Sequence, residues 1–210
     1  IMKKLLLGIA AVCLAGFTFA QDAPLWMRHS VISHDGTTIA FTYKGDIYTV
    51  PVAGGRAMQI TANPAYDTAS VWSPDSKRIA FASDRMGSLD VYIVAKDGGE
   101  PRRLTTHSGS ETPLAFTDAG PVLFSAGIMP SAEAVVFPSN GQFNQVYRVS
   151  VEGGRPTMIS SMPMECISIN KEGAMLYQDK KGYEDYWRKH HVSPIARDIW
   201  MYTPGKEPQY

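Results

Sequence analysis

The chain has 210 residues, 44% of them hydrophobic and 19% charged, which limits it to one or at most two ordinary globular domains. Lys plus Arg and Asp plus Glu stand at 20 each, so no global field selects nucleic acid or an anionic membrane. The paired cations Arg102-Arg103 and Arg188-Lys189 are too short to follow a phosphate backbone and read as solvated loop charge.

Residues 2–20, MKKLLLGIAAVCLAGFTFA, carry two lysines, then an apolar stretch, then Thr18 and Ala20 at the minus-three and minus-one positions of a cut before Gln21. That is the pattern of a removable secretory signal, so residues 1–20 are expected to be a signal peptide and the protein periplasmic or secreted. A membrane anchor is the alternative, but the apolar run Leu5–Ala20 is short for a span of about 20 residues. Cys13 does not make a lipoprotein signal, because Val12 stands before it where a small residue is needed. Cleavage leaves Cys166 as the single cysteine, which excludes an internal disulfide. Its apolar setting, Cys166-Ile167-Ser168-Ile169, predicts a buried structural thiol.

From residue 21 to 210 the chain reads as repeats, at about 29–61, 68–105, 111–160 and 166–210. The first alternates through Asp46-Ile47-Tyr48-Thr49-Val50, the period of a strand, and closes on Gly54-Gly55. The second is the cleanest copy. A strand ends at Val71-Trp72, a Ser73-Pro74-Asp75-Ser76 turn follows, then strands at Arg78–Ser83 and Leu89–Ala95, a Gly98-Gly99 hairpin and a last strand at Arg102–Thr105. Asp35, Ile39 and Phe41 recur 40 residues later as Asp75, Ile79 and Phe81, whereas Asp46 and Tyr48 recur 44 residues later as Asp90 and Tyr92. The difference places a four-residue insertion between second and third strands, within Ser83–Ser88.

The third repeat continues with Asp118, Val122 and Phe124, then Tyr147, Gly153-Gly154 and Ser160, around a longer insertion at Gly127–Phe143. The fourth begins near Cys166, runs through Lys171–Tyr177 and resumes at Asp198–Tyr202 after an insertion at Lys180–Arg197. Its fourth strand is incomplete. Units of this length with four antiparallel strands predict an all-β protein, a β-propeller of which about four repeats are present. A stacked β-sandwich is the runner-up, but it would not require one motif to recur in register.

The segment VWSPDSKRIAFASDRMGSLDVYIV, with GGEPRRLT after it, resembles the WSPDG-type propeller repeats of TolB, of the tricorn protease and of dipeptidyl peptidase propellers. The resemblance covers about residues 29–205. An exported chain whose first blade starts soon after the cut most resembles bacterial tricorn-like serine peptidases of the tail-specific (C-terminal-processing) type. The resemblance implies a non-catalytic propeller that guides or gates peptides toward a catalytic domain further along a longer protein, so that the natural chain is expected to continue past Tyr210. Peptides or unfolded proteins, and those downstream domains, are the implied partners. The alternative is a TolB-like periplasmic propeller that binds proteins and has no enzymatic activity. Such proteins normally carry a small α/β domain ahead of the propeller, for which Gln21 to His29 leaves no room. His34 in place of the usual turn proline and Gln145 in place of the third-strand Asp depart from the pattern and are expected to weaken their own turns.

No Gly-x-Ser-x-Gly elbow occurs. Ser168 and Lys171, like Ser73 and Lys77, have the spacing of a Ser-Lys pair but fall at strand ends and turns without evident oxyanion donors. No catalytic residue is therefore expected. Asp46, Asp90 and Asp198 each open a third strand on a different blade and read as structural caps rather than as a calcium or acid/base set. His190 and His191, near Glu184 and Asp185, point to opposite faces of an extended segment, so neither a metal nor a cofactor is expected. Tyr183–His191, YEDYWRKHH, remains the most chemically loaded insertion. Trp187, Arg188, His190 and His191 are the candidates for contact with a peptide or another domain, with ordinary loop packing as the competing reading.

Overall fold

The computed structural model describes residues 26–118, 120–127, 144–160, 162, 164–170, 172–179, 198–203 and 206. The expected signal peptide, most of the third repeat's insertion and the whole Lys180–Arg197 insertion lie outside them.

Strand periodicity becomes four antiparallel sheets, each a meander in chain order. Blade 1 holds β1 (Arg28–Ile32), β2 (Thr38–Tyr43), β3 (Asp46–Pro51) and β4 (Met58–Gln59). Blade 2 holds β5 (Asp67–Trp72), β6 (Arg78–Ser83), β7 (Asp90–Ala95) and β8 (Arg102–Arg103). Blade 3 follows with β9 (Glu111–Phe116), β10 (Val122–Ala126), β11 (Gln145–Val149) and β12 (Thr157–Ser160). The three described strands of blade 4 are β13 (Met164–Ile169), β14 (Met175–Asp179) and β15 (Ile199–Tyr202). The first strands β1, β5, β9 and β13 pack on one another in succession, and β5 and β9 also lie against the sheet of the preceding blade. This is the arrangement of a β-propeller, four blades set around the line of their first strands.

Alternation along the strands gives each blade two apolar faces, and the core is the set of face-to-face contacts between blades. Ala40, Ile47 and Ile60 meet Trp72, Ile79, Phe81, Tyr92 and Val94. Blade 2 turns Ala80, Val91, Ile93 and Leu104 onto Phe116, Val122, Phe124, Tyr147 and Val149 of blade 3. Leu123 and Val146 in turn face Met164, Ile167, Met175 and Tyr177. Within a blade the repeated aromatics are cross-strand neighbours. Phe41–Tyr48, Phe81–Tyr92 and Phe124–Tyr147 stack with ring centroids 5.9, 5.9 and 5.7 Å apart.

The turns between first and second strands explain why His34 does no harm. Ser33 donates its hydroxyl to Asp35 at 2.6 Å and Ser73 donates to Asp75 at 2.5 Å. Both turns close alike, Gly36 N–H to Ser33 O and Ser76 N–H to Ser73 O at 2.9 Å. The turn is held by the serine–aspartate pair, and proline is not needed. Adjacent turns are also tied together, the Asp35 N–H donating to Ser76 Oγ at 3.1 Å.

Each first strand carries a bulge at the same place. His29, Ala69 and Cys166 take left-handed φ of 51, 52 and 52° there, and β1, β5 and β13 shift register around them. Such a conformation costs a non-glycine residue roughly 1–2 kcal/mol. In blade 3 the equivalent residue is Pro113, whose ring forbids it, and the register shift instead skips Leu114. The bulge corrects one expectation. It breaks the in–out alternation, so Cys166 is an exposed free thiol rather than a buried one.

Candidate functional site

Meander topology sorts the connections onto two faces. One face carries the Ser-x-Asp turns and the Gly-Gly hairpins. The other gathers the starts of the first and third strands, the linkers between blades and the connections between second and third strands. The described ends of the insertions read from the sequence therefore lie on this second face, among them Ser83 and Asp90 in blade 2, and Ala126 and Gln145 in blade 3. Trp187, Arg188, His190 and His191 lie outside the described residues, as do Glu184, Asp185 and Lys171. Among the described residues no group of three or more metal-ligating side chains comes together.

Two features of this face are well defined. The first is a groove of about 540 Å³ at the wedge between blades 1 and 2, lined by Trp26, Arg28, Thr42, Lys44, Gly45 and the linker residues Asn63–Tyr66. Arg28 and Thr42 are cross-strand partners on β1 and β2, and Lys44-Gly45 is the two-residue turn into β3. The linker wall is pinned from both sides. Asn63 N–H donates to Asp46 Oδ1 at 3.3 Å, Ala65 N–H to Asn63 Oδ1 at 3.0 Å, and Tyr66 N–H to Asp84 Oδ1 at 2.7 Å. Asp67 N–H closes the wall on Gly45 O at 2.7 Å. Trp26 is 75% exposed and Tyr66 41%, and the Arg28 guanidinium sits 5.6 Å from the Trp26 ring centre.

The second feature is a row of buried acids at the joints between blades. Asp67 and Glu111 open β5 and β9, Asp90 opens β7, and all three are fully buried. Asp67 pairs with Arg85 at 2.7 Å, and the Arg85 guanidinium lies 5.5 and 5.1 Å from the centres of the Phe81 and Tyr92 rings. Asp90 pairs with Arg103, whose Nη2 is 2.9 Å from Oδ2. Among the described residues no Arg or Lys forms an ion pair with Glu111. Thr105 donates its hydroxyl to Glu111 Oε2 at 2.5 Å while accepting the Val91 N–H at 2.9 Å. His107 Nδ1 is 3.8 Å from Glu111 Oε1, but it already accepts the Gly109 N–H at 3.0 Å. Burial is the main reason the Glu111 carboxyl is pushed up to about 7; the Thr105 hydrogen bond opposes the rise, and the charge and hydrogen bond of Asp90 add to it.

Asp46 and Asp90 thus act as structural ties. Asp46 holds Gln59 Nε2 at 3.0 Å as well as the linker, and Asp90 holds the arginine at the position equivalent to Gln59. Gln145 has a different job, accepting the Tyr147 hydroxyl at 2.7 Å. Sequence reasoning missed the groove residues and Glu111. A signal was present: where the third strand opens with Asp46 or Asp90, the next blade opens with Asp67 or Glu111, and where it opens with Gln145, the next blade opens with Met164.

Fold and repeats together define a WSPD-repeat β-propeller. Residues 24–209 match the family described as the tricorn protease N-terminal beta propeller domain. The chain belongs to that family. It is 36% identical over 180 residues to tricorn protease homolog 1 of Streptomyces coelicolor, a match covering 85% of this chain and 16% of that protein. It is 29% identical over 129 residues to the uncharacterized peptidase YuxL of Bacillus subtilis, covering 60% of this chain and 20% of that one. The chain therefore spans no more than about a fifth of these relatives. Among solved structures, a putative TolB of Agrobacterium tumefaciens aligns with a TM-score of 0.66 at 15% identity, over 89% of this chain and 62% of that one. The tricorn protease aligns at 0.60 and 15% identity, over 84% of this chain and 21% of its own. At such identities these likenesses speak for the fold alone.

Proposed function

We propose that this chain is the non-catalytic propeller module of an exported serine peptidase, guiding or gating peptides toward a catalytic domain elsewhere in a longer protein. The observation that carries the reading is the one-sided loop face. The described ends of the insertions lie on it, beside a groove whose walls are pinned by hydrogen bonds and therefore pre-organised. Membership in the tricorn propeller family and the peptidase names of the relatives support it. Residues 1–20 supply the export signal in this reading, with cleavage before Gln21, and the propeller proper runs from residue 21 to 210. In this reading the insertion residues Trp187, Arg188, His190 and His191 are the candidates for contact with the peptide or the neighbouring domain.

Ser73 illustrates why the module itself is not the enzyme. Its hydroxyl is buried and held in the turn, donating to Asp75, a carboxyl whose pKa that bond lowers, and accepting the Arg78 N–H at 2.9 Å, so it is a structural turn group rather than an exposed nucleophile. The 210-residue chain is expected to bind unfolded polypeptide in an anisotropy titration and to remain unlabelled by a serine-directed activity probe. Covalent labelling of the chain would overturn the assignment.

A further inference from the structure

We propose that the groove between blades 1 and 2 is a subsite for acidic stretches of polypeptide, in which side-chain carboxylates sit between Arg28 and Lys44 and neighbouring apolar groups lie on Trp26 and Tyr66. The inference rests on the peptide-handling reading above and names the sequence preference of that face.

Charge is the first argument. The groove lining contains two cations and no carboxylate. Among the described residues neither Arg28 nor Lys44 reaches an acidic partner; Arg28 lies over Trp26, and the Lys44 ammonium lies over Tyr43 at 5.4 Å. Asp46 and Asp84 stand behind the linker wall, held by Gln59 and the Asn63 N–H and by the Tyr66 N–H, and neither lines the groove or pairs with Arg28 or Lys44. In a chain of zero formal net charge, two cations lining one mouth without an ion pair among the described residues are a local feature.

The second argument is the floor. Thr42 lines the groove, is 2% exposed, and its hydroxyl has no hydrogen-bond partner among the described residues. At the same register of β6 stands Ala82, which asks for none. A ligand oxygen entering between Arg28 and Thr42 gives that hydroxyl an acceptor. The third argument is shape. The exposed rings of Trp26 and Tyr66 offer large flat contacts at low entropic cost, as aromatic anchors of peptide sites do. The fixed linker and the Gly45 turn hold the walls apart. An extended peptide is the occupant of this chemistry, since the groove lacks the successive N–H groups of a glycine-rich phosphate cradle.

The test uses the full chain and two fluorescein-labelled peptides with amidated C-termini, one rich in glutamate with a single leucine and tyrosine, the other its glutamine isostere. Amidation ensures that only side-chain carboxylates are read. The glutamate peptide is expected to bind about tenfold more tightly than the isostere, with an affinity that falls as salt rises. The double variant Arg28→Gln, Lys44→Gln is expected to abolish that preference, while Lys77→Gln, Lys96→Gln, the same change of charge on the opposite face, leaves it intact. Circular dichroism of each variant verifies the fold. Equal binding of both peptides to the wild-type chain would sink the acidic subsite and leave peptide handling standing. No binding of either peptide would remove both. Equal losses in the two double variants would also overturn the proposal, by showing that net charge rather than the groove is read.

Discussion

At the residue scale the joint between blades 2 and 3 turns on one proton. Glu111 is buried beside Asp90, and its carboxyl titrates near 7 against an ordinary value of 4.5. The folded chain therefore holds a proton that the unfolded chain releases between those values. In that window the native state binds more protons, so unfolding releases them and stability falls as pH rises. The contribution is complete below about 4.5 and lost as pH passes through 7. Glu111→Gln keeps a neutral donor facing Asp90 and an acceptor for the Thr105 hydroxyl. Urea unfolding at pH 5 and pH 8 should show the wild type losing on the order of 1–3 kcal/mol between them, and the variant losing much less. The same slope in both proteins would mean that Glu111 is ionised in the fold. On the acid side Asp35 behaves oppositely. Hydrogen bonds from the Ser33 hydroxyl first, then the Thr37 N–H and hydroxyl, lower it to about 2, so its stabilisation is present above its ordinary 3.8 and lost as pH falls through 2.

At the scale of one blade, the four-residue insertion of blade 2 is a brace rather than a free loop. Arg85 neutralises buried Asp67 and covers Phe81 and Tyr92, while Asp84 holds the linker that walls the groove. Arg85→Ala leaves a buried carboxylate unpaired and is expected to cost about 3–5 kcal/mol in chemical denaturation. Adding Asp67→Asn should recover part of that loss, because the stranded charge is removed. If the double variant is no more stable than the single one, ring packing rather than the ion pair dominates. The strands, turns and hairpins of this blade were legible in the sequence because each has a local cause: alternation, the Ser-Pro-Asp turn, and paired glycines at φ 89 and 117°. What the bulge does was not legible. Nothing in Cys166-Ile167-Ser168-Ile169 announces a left-handed residue that reverses the side-chain alternation, so the exposure of Cys166 emerges only from pairing with β14. The groove was hidden for a similar reason. Trp26, Arg28, Thr42, Lys44 and Tyr66 come from three separate segments, and the pinning of the linker brings them together.

At the scale of the whole molecule, recurrence in register made the fold readable, and the departures from recurrence point to function. Scaffold positions repeat: Phe with Tyr, Ser with Asp, Gly with Gly. The connections between second and third strands do not repeat, and the described strand ends that they join lie on one face. The central claim is that this face receives polypeptide. It is tested most directly by placing a photo-crosslinking amino acid singly at Lys44 and Tyr66 on the loop face, and at His34 and Lys77 on the opposite face, then irradiating each with an unfolded polypeptide. Crosslinks confined to positions 44 and 66 are the predicted result. Crosslinks of equal yield from both faces, or none from the loop face, would contradict it.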